Sequence, residues 1–307
     1  MIKKTYKNTY APITLFVYER LSHTQLVVEA LLKNIGAEFS DLIIFSDAPS
    51  IPSKKANVEK VRSYLSTIKG FKSIKIYHRP YNYGLSKSII DGVSDTLKKY
   101  GRIIVIEDDL VTSPYFLTYM NEALNLFEKV KKVASIHGYV YPHNQPISSA
   151  FFLRGADCWG WATWSRSWNK INLDGRYLLN KIKEKKLIYE FDFEGSYTFS
   201  SMLKKQIIGL NDSWAIRWHA SMFLANKLTL YPGRSLVNNI GNDTTGTHSC
   251  NASYYKTKLA NSPIDLSNTK VQASEEAYQA FISFFYKNSL KAKVNKFLYK
   301  FFRFLSL

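Results

Sequence analysis

Four short apolar runs, rich in β-branched residues, alternate with stretches of helical periodicity in the first third of the sequence. The runs cover residues 13–18, 42–45, 74–77 and 103–106. The helical pattern before the last run places apolar residues at Leu85, Ile89, Val93 and Leu97. Strands that alternate with helices in this way form a parallel sheet covered by helices. The sequence therefore predicts an α/β fold.

The second half of the sequence is less regular. It contains an aromatic-rich block at residues 151–168, a helical pattern at 214–226 and a polar loop at 238–248. Because no internal repeat or low-complexity linker separates these parts, we expect one compact unit whose halves, residues 1–130 and 131–265, share a cleft. Residues 266–307 are predicted to form an appended helical segment.

The charge balance of the 307 residues points to an anionic partner. Lys and Arg number 42 against 24 Asp and Glu, a net charge of +18. Nucleic acid, acidic lipid and nucleotide diphosphates all fit this charge. The sequence lacks nucleic-acid-binding signatures and its lysines are scattered, so we expect no nucleic-acid partner.

The same sequence lacks the export and redox signals of a secreted protein. No run approaches the roughly 20 apolar residues that a membrane-spanning helix needs, and the first residues do not resemble a signal peptide. Cys158 and Cys250 lack the spacing of a zinc or redox motif, so we expect reduced thiols and a cytoplasmic location.

Three adjacent carboxylates, Glu107, Asp108 and Asp109, directly follow the buried run at 103–106. At the end of a strand such groups repel one another and lose hydration, so a cation is expected to compensate them. Ligands of open α/β sheets bind beyond the carboxyl ends of the strands, and Mg²⁺ or Mn²⁺ prefers oxygen ligands. A metal and nucleotide-diphosphate site is one interpretation; an acidic turn that caps the helix near Ser113 is the other.

Residues 103–116, which read IIVIEDDLVTSPYF, resemble the acidic segment of the Golgi N-acetylglucosaminyltransferase I family. That family is inverting and has the GT-A fold. The resemblance implies a GT-A-like protein, with a Rossmann-like nucleotide-binding half and a mixed sheet. It implies that Asp109 binds Mn²⁺ or Mg²⁺, that Asp108 lies near the nucleotide ribose and that Glu107 belongs to the same site.

The resemblance extends to Arg20 and Asp47, which follow the first two predicted strands. In the family an Arg and an Asp at comparable positions hold uracil, so a UDP-sugar donor is implied. Taken alone, Arg20 fits a solvated loop and Asp47 fits a turn. The family's His before the acidic strand is missing, because Asn82 and Tyr83 occupy that neighbourhood and His78 lies too early.

Asp212, in the segment Asn211-Asp212-Ser213-Trp214, resembles the part of the family that carries the catalytic base. An inverting transferase needs a carboxylate to accept the proton of the attacking hydroxyl group. The alternative for this segment is a helix N-cap, for which all three polar residues are suited.

Two further segments are candidates for ligand contact. The polar loop at 241–248 is a possible lid whose His248 binds the metal or donates a hydrogen bond, although the resembled family lacks such a His; a surface hairpin is the alternative. Trp159 and Trp161 flank Gly160, which suggests a wall for a sugar ring, whereas a Trp-rich core would have a similar composition.

The C-terminal segment has an apolar face and a basic face. The apolar face comprises Leu290, Val294, Phe297, Leu298, Phe301 and Leu305, and the basic residues are Lys293, Lys296, Lys300 and Arg303. This pattern indicates an amphipathic helix that binds an anionic membrane surface, and a helix packed on the core is the alternative.

Together these features predict an inverting glycosyltransferase at the inner face of a bacterial plasma membrane. It would move a hexosyl or N-acetylhexosaminyl group from a UDP-sugar to a lipid-linked surface glycan. Two alternatives stay open, a sugar-nucleotide nucleotidyltransferase and a basic binding module for nucleic acid or acidic polysaccharide. The first normally needs a Gly-rich phosphate loop after the first strand, which residues 18–23 do not provide.

Overall fold

A computed structural model of the chain describes residues 10–241 and 253–288. The strands are β1 Ile13–Val17, β2 Asp41–Ser46, β3 Ser73–His78, β4 Arg102–Glu107, β5 Leu110–Thr112, β6 Val133–His137, β7 Ala150–Arg154, β8 Trp161–Trp164, β9 Leu228–Pro232 and β10 Val237–Asn239. The helices are α1 Leu21–Leu32, α2 Lys55–Leu65, α3 Gly84–Tyr100, α4 Phe116–Leu126, α5 Ser165–Trp168, α6 Gly175–Glu184, α7 Ile188–Phe191, α8 Phe199–Ile207, α9 Trp214–Leu224 and α10 Glu275–Asn288.

The main sheet has eight strands in the order β3-β2-β1-β4-β8-β6-β9-β7. The first four are mutually parallel. β8 runs antiparallel to both β4 and β6, β9 is parallel to β6, and β7 is antiparallel to β9. The predicted α/β fold, with a Rossmann-like half and a mixed sheet, is therefore confirmed.

Alternate side chains of the central strands enter two different layers of the core. In β4, Ile104 and Ile106 pack into one layer, which α1 and α4 cover, and Ile103 and Val105 pack into the other, which α3 and α9 cover. Parallel strands buried on both faces read as continuous apolar runs, which explains the sequence pattern. Because helices cover both faces of the sheet, functional groups are expected at the ends of the strands.

Four tryptophans join the sheet to the helices of the second layer. Trp161 of β8 is fully buried, and its ring centroid lies 5.4 Å from that of Trp214 and 5.6 Å from that of Trp168. Trp218 of α9 completes the group at 6.1 Å. Aromatic packing of this kind fixes α9 against the sheet.

The C-terminal helix α10 packs on the other end of the sheet. Phe281 and Phe285 are buried against Phe151 of β7 and Tyr231 of β9, in a cluster that also includes Phe193. Residues 275–288 of the predicted C-terminal segment therefore pack on the folded body, and the membrane association of that segment stays a prediction. The amphipathic residues from Leu290 onward lie outside the described residues. Within the described part of the chain, no helix is both long and apolar enough to cross a membrane.

Candidate active site

The carboxyl ends of β1, β2 and β4 bring three sequence-predicted residues to one edge of the sheet. Arg20 follows β1, Asp47 follows β2, and Glu107 ends β4. The strand register pairs Phe16 with Glu107 and Val17 with Ser46, so the three strand ends lie at the same level. This edge is where open α/β sheets bind their ligands.

Arg20 forms ion pairs with two of the predicted acidic residues. Its Nη2 donates a hydrogen bond of 2.9 Å to Asp109 Oδ2 and a second, closer one to Asp108 Oδ1. The exposed fractions of the side chains are 21% for Arg20, 8% for Asp108 and 19% for Asp109. The expected cationic compensation of the carboxylates thus comes from a residue that the sequence had suggested for the uracil base.

Burial and mutual repulsion shift the titration of this cluster. Loss of hydration raises the pKa of Glu107, the charges of Asp109 and Asp108 raise it further, and Arg20 opposes them. Loss of hydration also raises the pKa of Asp108, against the effect of Arg20. Burial alone would lower the pKa of Arg20, but the charges of Asp108 and Asp109 outweigh it and raise that pKa. Additional positive charge at this site would stabilise the ionised carboxylates.

The donor atoms of this cluster fit a hard divalent cation. Asp108 Oδ2 is buried and has no hydrogen-bond partner among the described residues, as is also true of Arg20 Nη1. Across residues 10–241 and 253–288, no group of three or more His, Cys, Asp or Glu side chains is arranged to hold a metal ion by itself. The chain thus offers carboxylate oxygens from one segment, and an ion bound there would keep coordination positions for phosphate oxygens and water.

The short ribbon of β5 and β10 holds the chain beside Asp109. Val237 pairs with Thr112, and the Ile240 backbone N–H donates to the Asp109 carbonyl oxygen at 2.8 Å. A Cβ atom on Gly241 would lie 2.2 Å from Asp109 Oδ2, so any other residue here would have to displace that carboxylate. The predicted lid loop therefore starts next to Asp109, whereas His248 lies outside the described residues.

The acidic segment does not cap the helix near Ser113, which was the alternative interpretation of its sequence. Ser113 Oγ accepts from the Tyr115 backbone N–H at 3.3 Å just before α4, and it donates to the Ala260 carbonyl oxygen at 2.6 Å. Asp108 and Asp109 instead face Arg20. The two aspartates therefore pair with Arg20 at the sheet edge rather than cap α4.

Asp47 holds the loop in front of α3. Its Oδ1 accepts from the backbone N–H groups of Ala48 and Tyr83, each at 2.9 Å. Its Oδ2 accepts from Gly84 N at 3.0 Å and from Asn82 Nδ2 at 3.3 Å. Four bonds use the acceptor capacity of a carboxylate, so in this structure Asp47 has no free position for a uracil imide. The residues that replace the family's His are therefore bound to Asp47.

Asp212 lies at the start of α9, but Ser213 is the residue that caps the helix. Ser213 Oγ accepts from the Ile216 backbone N–H at 3.3 Å. The Asp212 side chain is 76% exposed, and its Oδ1 accepts from Arg217 Nη2 at 3.0 Å. It borders an open pocket of about 290 Å³ whose other lining residues are Ser86, Lys87, Ile90, Asp91, Leu173 and Arg217. Asp212 is thus accessible and oriented, next to the first turns of α3.

The two tryptophans predicted as a sugar wall have different environments. Trp161 is 0% exposed within the tryptophan cluster, so it is a core residue and the expected sugar contact is corrected. Trp159 is only partly buried, with ring centroids 4.7 Å from Tyr139 and 5.4 Å from Tyr255. Its backbone N–H donates to His137 Nε2 at 3.0 Å. Of these two tryptophans, Trp159 remains a candidate for the predicted contact with a sugar ring.

Asp157 is a carboxylate at this sheet edge that the sequence did not single out. It lies two residues before Trp159, in the block whose tryptophans drew attention. The signal that could have identified it is an acidic side chain directly before an aromatic and glycine-rich segment. Nothing in the local pattern showed which strand end this segment would reach.

Comparisons with known proteins identify no family for this chain. A scan against protein families and a search of curated proteins each found no match. Among solved structures, the mannosyltransferase PcManGT from Pyrobaculum calidifontis, in complex with GDP-Man and Mn²⁺, aligns over 44% of this chain with 11% identity and a TM-score of 0.30.

Two structures of S. aureus TarS also align with parts of the chain. The structure of TarS residues 1–349 aligns over 75% of this chain with 11% identity and a TM-score of 0.36. The second TarS structure aligns over 48%, with 13% identity and a TM-score of 0.29. The chain spans 37%, 60% and 25% of the lengths of these three structures, in the order given.

Proposed function

We propose that this protein is a metal-dependent inverting glycosyltransferase that moves a sugar from a UDP-sugar to a bacterial surface-glycan acceptor. The observation that carries the proposal is the cluster of Arg20, Asp108 and Asp109 at the carboxyl ends of two parallel strands. The unpartnered oxygen of Asp108 and the positive charge of Arg20 suit the binding of a cation and an anionic diphosphate side by side.

In this proposal Asp109, supported by Asp108, holds Mn²⁺ or Mg²⁺. The bound ion would neutralise the charge of the diphosphate leaving group. Arg20 would also stabilise the diphosphate leaving group, because its guanidinium lies against both carboxylates and can turn toward a phosphate oxygen. Asp47 serves the nucleotide side indirectly, by holding the loop that starts α3.

Asp212 is the proposed general base. Its carboxylate would accept the proton of the acceptor hydroxyl while that oxygen forms the new bond to the anomeric carbon and the bond to the diphosphate breaks. Arg217 orients the carboxylate through its 3.0 Å hydrogen bond, and the open pocket beside α3 leaves room for the acceptor. Attack from the face opposite the diphosphate inverts the anomeric configuration.

The acceptor is proposed to be lipid-linked, with the enzyme bound peripherally at the cytoplasmic face of the plasma membrane. The support is the basic and apolar composition of residues 290–305 and the net charge of +18. Each basic residue near an anionic leaflet contributes on the order of 1 kcal/mol to binding. His248 is proposed as an additional contact to the donor diphosphate.

The function is tested by measuring UDP and UDP-sugar binding with and without Mn²⁺ by thermal shift, followed by donor turnover. A ligand that binds only the native state raises the midpoint of unfolding, and we expect this rise only when Mn²⁺ is present. Asp109→Ala is expected to abolish the rise and the turnover while remaining folded. Asp265→Ala, which removes an exposed loop aspartate outside the acidic cluster, is the matched control. Full turnover by Asp109→Ala would refute the metal assignment, and retained anomeric configuration in the product would refute inversion.

A further inference from the structure

Asp157 lies at the same sheet edge as the acidic cluster but on a different segment. It precedes β8, whose Trp161 pairs with Val105 of β4, so the residues just before β8 reach the end of β4. Burial raises the pKa of the neighbouring Cys158, and the charges of Asp157, Glu107 and Asp109 all add to that effect. The register of β8 on β4 therefore places Asp157 beyond the carboxyl end of β4, the strand that ends at Glu107.

The Asp157 carboxylate is held in place and remains partly accessible. Its Oδ1 accepts from the Cys158 backbone N–H at 2.8 Å and lies 3.8 Å from His137 Nε2, and 24% of its side chain is exposed. His137 is fully buried, and its Nε2 accepts from the Trp159 backbone N–H. That nitrogen therefore carries no proton and cannot form a charged ion pair with Asp157.

Aromatic rings pack on His137, the neighbour of this carboxylate: the His137 ring centroid lies 4.9 Å from that of Tyr231 and 6.2 Å from that of Tyr139. Burial raises the pKa of Tyr231, and the charge of Asp157 and a hydrogen bond to it contribute further. The rings of Tyr139 and Trp159 lie 4.7 Å apart, and Trp159 also contacts Tyr255. The arrangement combines the Asp157 carboxylate, which is partly exposed and can only accept hydrogen bonds, with Trp159, which is only partly buried.

We propose that Asp157 binds hydroxyl groups of the donor sugar, whose apolar ring face lies against Trp159. This inference rests on the function proposed above and names the sugar-recognition residues of that site. A carboxylate accepts hydrogen bonds from adjacent hydroxyl groups, and the C–H face of a pyranose packs on an aromatic ring. The position next to Glu107 and Asp109 assigns this subsite to the sugar of the nucleotide donor, since the diphosphate would lie at those carboxylates.

The inference is tested by comparing the binding of UDP with that of UDP-glucose and UDP-N-acetylglucosamine, each with Mn²⁺. Hydrogen bonds to a charged group are worth about 10- to 100-fold in affinity. We expect Asp157→Asn to weaken binding of the preferred UDP-sugar by about that factor and to leave UDP binding unchanged. Asp265→Asn, which removes the same charge from an exposed loop outside the proposed subsite, is expected to change neither.

Two further variants separate recognition from a structural role. Tyr231→Phe removes a hydroxyl beside His137, the neighbour of Asp157, but keeps the ring stacked on Phe151 at 5.6 Å. If Asp157 acts only through the loop structure, Tyr231→Phe should reproduce the loss seen in Asp157→Asn. Trp159→Ala is expected to reduce UDP-sugar affinity and spare UDP, as Asp157→Asn does.

Each possible result decides the inference. Equal weakening of UDP and UDP-sugar by Asp157→Asn, wild-type binding by that variant, or wild-type protein that gains no affinity from the sugar would each overturn it. Wild-type protein that binds neither UDP nor a UDP-sugar would overturn the proposed function, and this inference with it. The separate UDP measurement therefore shows which of the two has failed.

Discussion

Arg20 Nη2 and Asp109 Oδ2 lie 2.9 Å apart, so the proposed metal ligand is paired with a guanidinium. Removing Arg20 would leave the buried Asp108 and the partly buried Asp109 without its compensating charge. We expect Arg20→Gln to lower the free energy of unfolding by about 2 to 4 kcal/mol, measured by urea denaturation. Adding Mn²⁺ should recover part of the loss, because the ion supplies the missing charge. A variant of wild-type stability that shows no response to Mn²⁺ would contradict this account of the cluster.

The close approach of Gly241 to Asp109 leads to a second prediction. The added methyl group of Gly241→Ala would lie 2.2 Å from Asp109 Oδ2 and must displace the carboxylate. We expect Mn²⁺-dependent UDP binding to weaken about tenfold or more, which corresponds to the loss of one good ionic contact. Gly101→Ala is the control, since Gly101 has φ +74° but an open environment. It should lose stability through backbone strain without changing UDP binding.

Asp212 and Ser213 are adjacent but have different structural roles, so substitutions at the two positions should have different effects on transfer and on stability. Asp212→Asn is expected to bind the UDP-sugar normally and to lose about 100-fold or more in transfer rate, because the amide cannot accept a proton. Ser213→Ala should instead lose about 1 kcal/mol of stability with the helix cap and keep the transfer chemistry. Single-turnover transfer assays and calorimetric binding measure the two effects. Equal losses of binding and transfer in Asp212→Asn would indicate a structural residue.

The two tryptophans around Gly160 also give opposite expectations. Trp161 is buried among three other tryptophans, so Trp161→Ala should cost about 3 to 5 kcal/mol of stability. Trp159→Ala should cost less, because the side chain is only partly buried. Thermal and urea unfolding of both variants provide the comparison. Similar stability losses would mean that Trp159 is a core residue as well.

Deletion of residues 289–307 tests the membrane hypothesis without removing α10. The shortened protein should no longer sediment with anionic liposomes, and its donor hydrolysis should be preserved. As a matched variant, replacement of Lys293, Lys296, Lys300 and Arg303 by Gln keeps the apolar face and should lose only the dependence on anionic lipid. Persistent liposome binding of the shortened protein, or its unfolding, would assign the tail to the body of the protein.

The sequence predicted the four parallel strands closely, because buried parallel strands leave a local signal. The predicted run at 103–106 lies within β4, Arg102–Glu107, and the run at 42–45 lies within β2, Asp41–Ser46. The helical pattern from Trp214 was also correct to within two residues at its end. Local periodicity was sufficient for these elements.

The sequence could not predict contacts that depend on the order of strands. Nothing in residues 161–164 showed that β8 would insert between β4 and β6, and this insertion decides that Asp157 reaches the acidic cluster. In the same way, Trp161 and Trp159 look equivalent in sequence. In the structure Trp161 is buried in the tryptophan cluster, whereas Trp159 is only partly buried. The role of Asp47 depended on the loop at 82–84, which lies 35 residues later and has no pattern linking it to β2.

The placement of β8 also ties the two halves of the chain together. This strand comes from the second half of the chain, yet it pairs with the strand that ends in Glu107. A recombination event that replaced residues 131–265 with those of another protein would therefore exchange a direct neighbour of the strand that leads into the acidic cluster. Substitutions and loop changes around a retained β8 would leave that strand pair intact.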